Sequence, residues 1–494
     1  MDGDSDSRVE VVRHGSAVPL GQDVDPGGGP PRTRFGQMFP SLEQSDVDPA
    51  SIEELVKWMQ ADDTTRRSDN TDIAAGFTYL GQFIDHDITF DPMSKLDQQS
   101  DPNSLVNFRT PRLDLDSLYG SGPKDQPFLY DWEAEPKGTK LLLARKPPGS
   151  KVPGKTLEVA RMDLPRNEQG RALIGDARND ENVIISQLHL LFVRFHNAVV
   201  DHLARDVAGD LDEDELFERA RELVRRHYQW IVVNEFLPLV VGEKEFERVL
   251  TTPEDGGPPT IHLDSFEWQD EPFIPVEFSG AAYRFGHSMV RSDYVLQDRV
   301  RHGTRLFPDM AGLTWLPKRL VIDWEHFFDL PGAARRPQPS QLINTTIVKP
   351  LWSLPLTGKA LARLNLKRGW ALKLPSGQAV AEGMKMPVLE DEQLMLDESV
   401  PRAARDKLSR STPLWFYILC EAENGLDAAG RHLGGSHLGP VGGRIVAEVL
   451  VGLLKGDPTS YLNQDPAWRP EALRTGGSFR MADLVEIAQG GISA

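Results

Sequence analysis

Residues 180–205 read DENVIISQLHLLFVRFHNAVVDHLAR. Ile184, Leu188, Leu191, Phe195 and Val199 recur at i, i+4, i+7, i+11 and i+15, which is one face of a long helix. Asp180 and Glu181 stand at its start, where negative charge suits the helix dipole. Residues 212–236, DEDELFERARELVRRHYQWIVVNEF, repeat the pattern with Leu216, Ala220, Leu223, His227 and Ile231. A third helix is expected after Pro440, through VGGRIVAEVLVGLL, with proline near its start. Strand-like alternation is scarce, and 37 prolines with 42 glycines predict many helix ends and long loops. The expected fold is mainly α, with little β structure. Residues 1–40 read as an acidic, Gly/Pro-rich arm laid on a single catalytic domain, 41–494.

Composition narrows the function. Of 494 residues, 55 are Lys or Arg and 74 Asp or Glu, a net charge of −19. Such a surface repels phosphate backbones and anionic lipid, so neither nucleic acid nor a membrane is an expected partner. No unbroken apolar run of about 18 residues predicts a spanning helix. The first residues, MDGDSDSRVEVVRHG, show no basic region followed by an apolar one. Cys420 is the one cysteine, which excludes an internal disulfide framework and a cysteine metal cluster. Together these predict a cytoplasmic protein, with leaderless secretion as the alternative. Oligomeric state is not legible.

Three constellations carry chemistry. The first is TYLGQFIDHDITFDPMS, 78–94. Gln82, Asp85 and His86 share a helix face at i, i+3 and i+4, while Asp87 points about 100° away from His86. Charge in an apolar frame needs a reason, because burying it unpaired is costly. His86 reads as a base and Asp87 as a ligand; the alternative is a solvated helix face. The second is FRTPRLDLDSLYGSG, 108–122. Thr110, Arg112, Asp114 and Asp116 alternate, and in an extended chain alternate residues face one way. Mixed hard oxygen donors suit Ca²⁺, although this is no EF-hand loop; a polar turn is the plain alternative. The third is GDARNDEN, 175–182, with Arg178 just before the long helix, either facing a forming oxyanion or pairing with Asp176 or Asp180 at the surface. Far along, EFSGAAYRFGHSMVRSDY places His287 among small and apolar residues, a metal or haem ligand or a satisfied core histidine.

The conjunction of QFIDHD, TPRLDLDSLYGS, ARNDENxxxxxxHxLFxRxHN, YRFGH and LNLKRG resembles the animal-type haem peroxidases of the peroxidase–cyclooxygenase superfamily, over roughly residues 35–480. The resemblance implies a multi-helical domain around a central haem b. It implies a distal histidine at His86, a distal glutamine at Gln82 and a catalytic arginine at Arg178. It assigns the proximal iron ligand to His287, a propionate contact to Arg284, and the hydrogen-bond partner of the proximal imidazole to Asn365. Asp87, Thr110, the carbonyl of Arg112, Asp114 and Asp116 match calcium ligands, with Asp116 where the mammalian enzymes have serine. Asp85 and Glu181 match residues that form ester links to haem; Asn182 replaces the methionine of a third link. The implied activity is reduction of hydrogen peroxide through a ferryl intermediate, with oxidation of phenols, halides or thiocyanate and a place in the response to oxidative stress. His189 and His196, i and i+7 on one helix, read as structural. Two rivals stand beside this reading. A fatty-acid dioxygenase of the same fold needs a tyrosine three residues before the proximal histidine; Arg284 holds that position and Tyr283 is next to it. A haem-free binding module would have no use for the complete set of His86, Arg178, His287 and Asn365.

Overall fold

The computed structural model describes residues 10–13, 16–19, 33–60, 68–91, 99–144, 162–206, 211–253, 257–299, 302–355, 357–394, 396–427, 430–470, 473 and 478–490. Most of the expected 1–40 arm lies outside the described residues. Its last part, Thr33–Gly36, is a strand paired antiparallel with Val106–Asn107 and parallel with Ile274–Pro275. The buried carboxylate of Glu277 then takes hydrogen bonds from the backbone N–H groups of Met38 (3.0 Å) and Phe39 (3.2 Å).

The architecture is helical, with only short strand pairs. The helices that matter here are α1 (Pro49–Met59), α2 (Ala75–Ile88), α3 (Val183–Asp206), α4 (Glu213–Ile231), α5 (Leu361–Ala371), α6 (Leu414–Asn424), α7 (Pro440–Gly456) and α8 (Met481–Gly490). The three helices expected from periodicity are α3, α4 and α7. Every residue of the predicted α3 face is buried, each large side chain contributing about 1.5–3 kcal/mol. That face packs on α2, α4 and α8. Residues 183–205 are long and apolar enough to cross a membrane, yet 83% of their apolar 18-residue window is buried inside the fold, so α3 is a core helix.

Helix α4 begins with a reciprocal capping box between Asp212 and Glu215. It ends at Ile231, the last residue of its apolar repeat. Val232–Phe236 form a π-helical turn, followed by a short helix Leu237–Val241. Pro238 lacks the N–H an α-helix needs there, and the wider turn absorbs the break. The result turns Phe236 toward the central cavity described below. Proline at the first turn of α7 was expected and is present. The buried carboxylate of Glu421, on α6, accepts from the N–H groups of Val441 and Gly442, which would otherwise be unsatisfied at that helix start.

Burial pushes Glu421 up to about 7, against an ordinary value of 4.5. A carboxyl raised in the native state favours the fold while protonated. Its contribution is therefore lost as pH rises from near 4.5 through about 7. Denaturant melts at about pH 5 and about pH 8 should show this loss, and Glu421→Gln should shrink it. An unchanged slope in the variant would contradict the assignment.

Candidate active site

A single cavity joins α2 to the 3-10 turn Ala282–His287. It encloses about 1360 Å³ between atoms, its open mouth included. The lining is mostly apolar, with Phe77, Phe236, Leu306, Phe307, Leu351 and Leu354 among its residues. His287 is part of that lining. Its Nδ1 is 2.7 Å from Nδ2 of Asn365, on α5. Burial, then the neighbouring charge of Arg284, lowers His287 to about 3, so its imidazole is neutral. Arg284 donates to the carbonyl of Ser279 (2.8 Å) and to Oδ1 of Asn365 (3.2 Å). An arginine can only donate, which sets the amide with its nitrogen toward His287. Burial, and then Arg368, lower Arg284 to about 10.

Gln82, Asp85, Glu181 and Asn182 line the same cavity. Gln82 donates to Glu181 in a close hydrogen bond. Thr89 Oγ1 donates to Oδ1 of Asp85 at 2.9 Å. Burial pushes Glu181 up to about 8. The loop 306–313 closes this side, with Gly312 N donating to the Glu181 carbonyl and Leu313 N to that of Asp180. A Cβ on Gly312 would stand 1.9 Å from the Asp180 oxygen, so the approach requires glycine.

His86 and Arg178 are not part of the lining. Both are buried behind it. Nδ1 of His86 donates to Oδ1 of Asn179 at 2.8 Å. Arg178 pairs with Asp176, one of the two partners its sequence suggested, but in the interior and not at the surface. Its Nη2 also donates to the carbonyls of His86 (2.9 Å) and Thr89 (2.7 Å), gripping the end of α2. Asp180 instead takes two bonds from Arg166.

On the far side of α2, one ligand oxygen from each of Asp87, Asp114 and Asp116 lies within 4.8 Å of the others. They do not converge by strand alternation. Residues 110–115 bend, Leu115 takes φ 60°, and Asp116 opens a short helix. Thr110 Oγ1 donates to Asp114 at 2.9 Å. The Arg112 side chain turns away to Asp457, 3.9 Å distant. Burial raises all three acids, Asp116 to about 7. Asp116 Oδ2 is buried with no hydrogen-bond partner among the described residues. Crowded carboxylates with an unanswered oxygen fit a hard divalent cation. His189 and His196 make no such group: His196 is held by Thr139 and Tyr119, and His189 by Asn179.

The family profile described as animal haem peroxidase matches residues 94–409. This chain belongs to the animal haem peroxidase family. It is 28% identical over 338 residues to chorion peroxidase of Drosophila melanogaster, covering 65% of this chain and 38% of that protein. It is 25% identical over 328 residues to human thyroid peroxidase (Homo sapiens), covering 63% and 33%. The chain thus spans about a third of the length of these relatives. Among solved structures, peroxidase A of Dictyostelium discoideum superposes with a TM-score of 0.59 at 17% identity, covering 93% of each chain. A fatty acid alpha-dioxygenase of Oryza sativa gives 0.61 at 16% identity, covering 90% of this chain and 81% of that one. At such identities these superpositions speak for the fold alone.

For this animal haem peroxidase domain, sequence reasoning missed the groups that hold the named residues in place. Arg109 donates to Asp116 (3.2 Å) and, in a close contact, to Asp176. Burial opposes the charge on Asp176, but Arg178 and Arg109 outweigh it and hold that carboxyl well below its usual range. Arg368, three residues after Asn365, pairs with Asp91 at 3.2 Å. Only the arginine three places after Asn365, in LNLKRG, could have drawn attention; the others depend on contacts distant in sequence. Asp176→Asn should destabilise the family fold by about 3–5 kcal/mol, because it leaves two buried guanidiniums short of one carboxylate. A loss below about 1 kcal/mol in denaturant titration would contradict that.

Proposed function

We propose that this chain is a haem-dependent peroxidase that reduces hydrogen peroxide while oxidising small donors such as phenols, halides or thiocyanate. The observation that carries this reading is the cavity itself: a mostly apolar pocket lined by the neutral imidazole of His287 together with Gln82, Asp85, Glu181 and Arg284. A flat porphyrin with carboxylates at its edge suits that lining. Bound there, haem supplies an iron centre for the exchange of electrons between peroxide and donor.

His287 would hold the iron through Nε2. That requires a proton on Nδ1 and Asn365 presenting Oδ1 to it, so Arg284 would have to give up its own bond to Oδ1. Arg284, with Arg368 near it, offers positive charge for propionates. His86, buried behind the lining, would take a proton from hydrogen peroxide that reaches its Nε2 and return it to the departing oxygen. Arg178, its charge balanced by Asp176, fixes the end of α2 and stabilises negative charge that develops during O–O cleavage. Gln82 orients groups of the same lining. Asp85 and Glu181, which line the cavity, are the carboxylates that would form ester links to a porphyrin, with hydrogen peroxide as the two-electron oxidant. Calcium at Asp87, Asp114 and Asp116, with Thr110 and the Arg112 carbonyl, would brace α2 beside His86.

The dioxygenase reading has one observation in its favour: Tyr283 lines the cavity. Its hydroxyl, however, is buried with no hydrogen-bond partner among the described residues. A phenol without a base to take its proton is a poor one-electron donor. Oxygen uptake with linoleate in the absence of peroxide would favour that reading instead.

The deciding experiment combines an absorption spectrum with a peroxide assay against guaiacol, iodide, bromide, chloride and thiocyanate. An intense Soret band and peroxide-dependent turnover are expected. His287→Ala should lose the band, and Arg178→Ala should keep it while slowing reaction with peroxide by about 100-fold or more. A wild-type protein without the band, or an Arg178 variant reacting at the normal rate, would contradict the assignment. Separately, prolonged chelation should lower the thermal midpoint and weaken the Soret band, and Ca²⁺ should restore both. No change in either would remove the acid cluster from any metal site.

A further inference from the structure

Asn179 lies in the turn Ala177–Asp180 and is fully buried. It stands between two imidazoles that are fully buried themselves, His86 and His189. Its Oδ1 accepts from Nδ1 of His86 at 2.8 Å. Its Nδ2 donates to Nδ1 of His189 at 3.1 Å. A neutral imidazole carries one N–H and one lone pair, and the partner of one nitrogen dictates what the other presents. An oxygen facing Nδ1 of His86 therefore keeps the proton on Nδ1 and leaves the lone pair on Nε2. On its other side the same amide uses the lone pair of His189 Nδ1. His189 is driven down to about 3 by burial, so it stays neutral and keeps a lone pair to accept with.

We infer that Asn179 is a positioning residue that holds His86 in its Nδ1-protonated tautomer, so that Nε2 is the atom that takes the proton from peroxide. Which proton is taken rests on the peroxidase reading above; the tautomer does not. Asn179 acts through His86 and does not touch substrate. The competing arrangement is the amide turned over, with Nδ2 toward His86. That would put the His86 proton on Nε2 and leave no base there.

The direct test is NMR of the [15N]histidine-labelled full chain. It is read in the ferrous carbon monoxide form, or directly if the isolated protein carries no haem. The signals of His86 are identified by their loss in His86→Gln. The expected result is an unprotonated Nε2 and a protonated Nδ1. The reverse pattern overturns the inference even if peroxidase activity is normal. The expected pattern without peroxidase activity leaves the tautomer standing and removes the peroxidase reading instead. Kinetics supply a second test. Asn179→Leu should lower kcat/KM for peroxide by about tenfold or more while that for guaiacol holds. Asn179→Asp keeps an oxygen facing Nδ1 and should stay within about threefold of wild type for peroxide. Equal losses in the two variants would overturn the inference. The NMR result on the unmutated chain stands whether or not the leucine variant folds.

Discussion

A buried charge has to be answered by another charge, and Asp176 answers two. Its carboxylate lies between Arg178 and Arg109. Through Arg178 it holds the carbonyls of His86 and Thr89 at the end of α2. Through Arg109 it reaches Asp116 and the acid cluster. Three pieces of chain apart in sequence are thus tied at one point: α2, the loop 109–116 and the turn 176–180, which runs on into the start of α3. Helix α2 can then present different side chains in three directions. Gln82 and Asp85 face the cavity, His86 meets Asn179, and Asp87 joins the acids. Pairs of this kind rarely add much net stability over an apolar core, but breaking one is costly. Their value here is to place polar groups that a hydrophobic core could not.

The remaining walls of the cavity follow from backbone constraints. Pro238 forces the π-helical turn that brings Phe236 to the lining. Gly312 allows the loop 306–313 to dock against the carbonyls of Asp180 and Glu181. Helices α6 and α7 pack against the turn that carries His287, and α5 supplies Asn365. The site is therefore assembled by packing between elements far apart in the chain.

That explains what could be read from sequence and what could not. Helices α3, α4 and α7 were legible because burial imposes a 3.6-residue period on their apolar residues. Asp114 and Asp116 were expected to face one way by strand alternation, which has no place for Leu115 at φ 60°, and only the family resemblance joined Asp87 to them. Arg178 was linked to Asp176, yet its burial was invisible, since nothing local marks an arginine as interior. Arg109, Asn179 and Arg368 went unnoticed because their importance lies in partners brought near only by the fold. The motifs named the polar residues, whereas the tertiary structure decides which of them line the cavity and which stand behind it.

In the haem peroxidase reading proposed above, His287 is the side chain that would grip the iron in this cavity. Resonance Raman spectroscopy of the ferrous protein tests it most directly. An iron–imidazole stretching band is expected that is absent in His287→Ala and returns when haem and free imidazole are added to that variant together. A band that persists unchanged in that variant, or none in the wild-type protein, would contradict it.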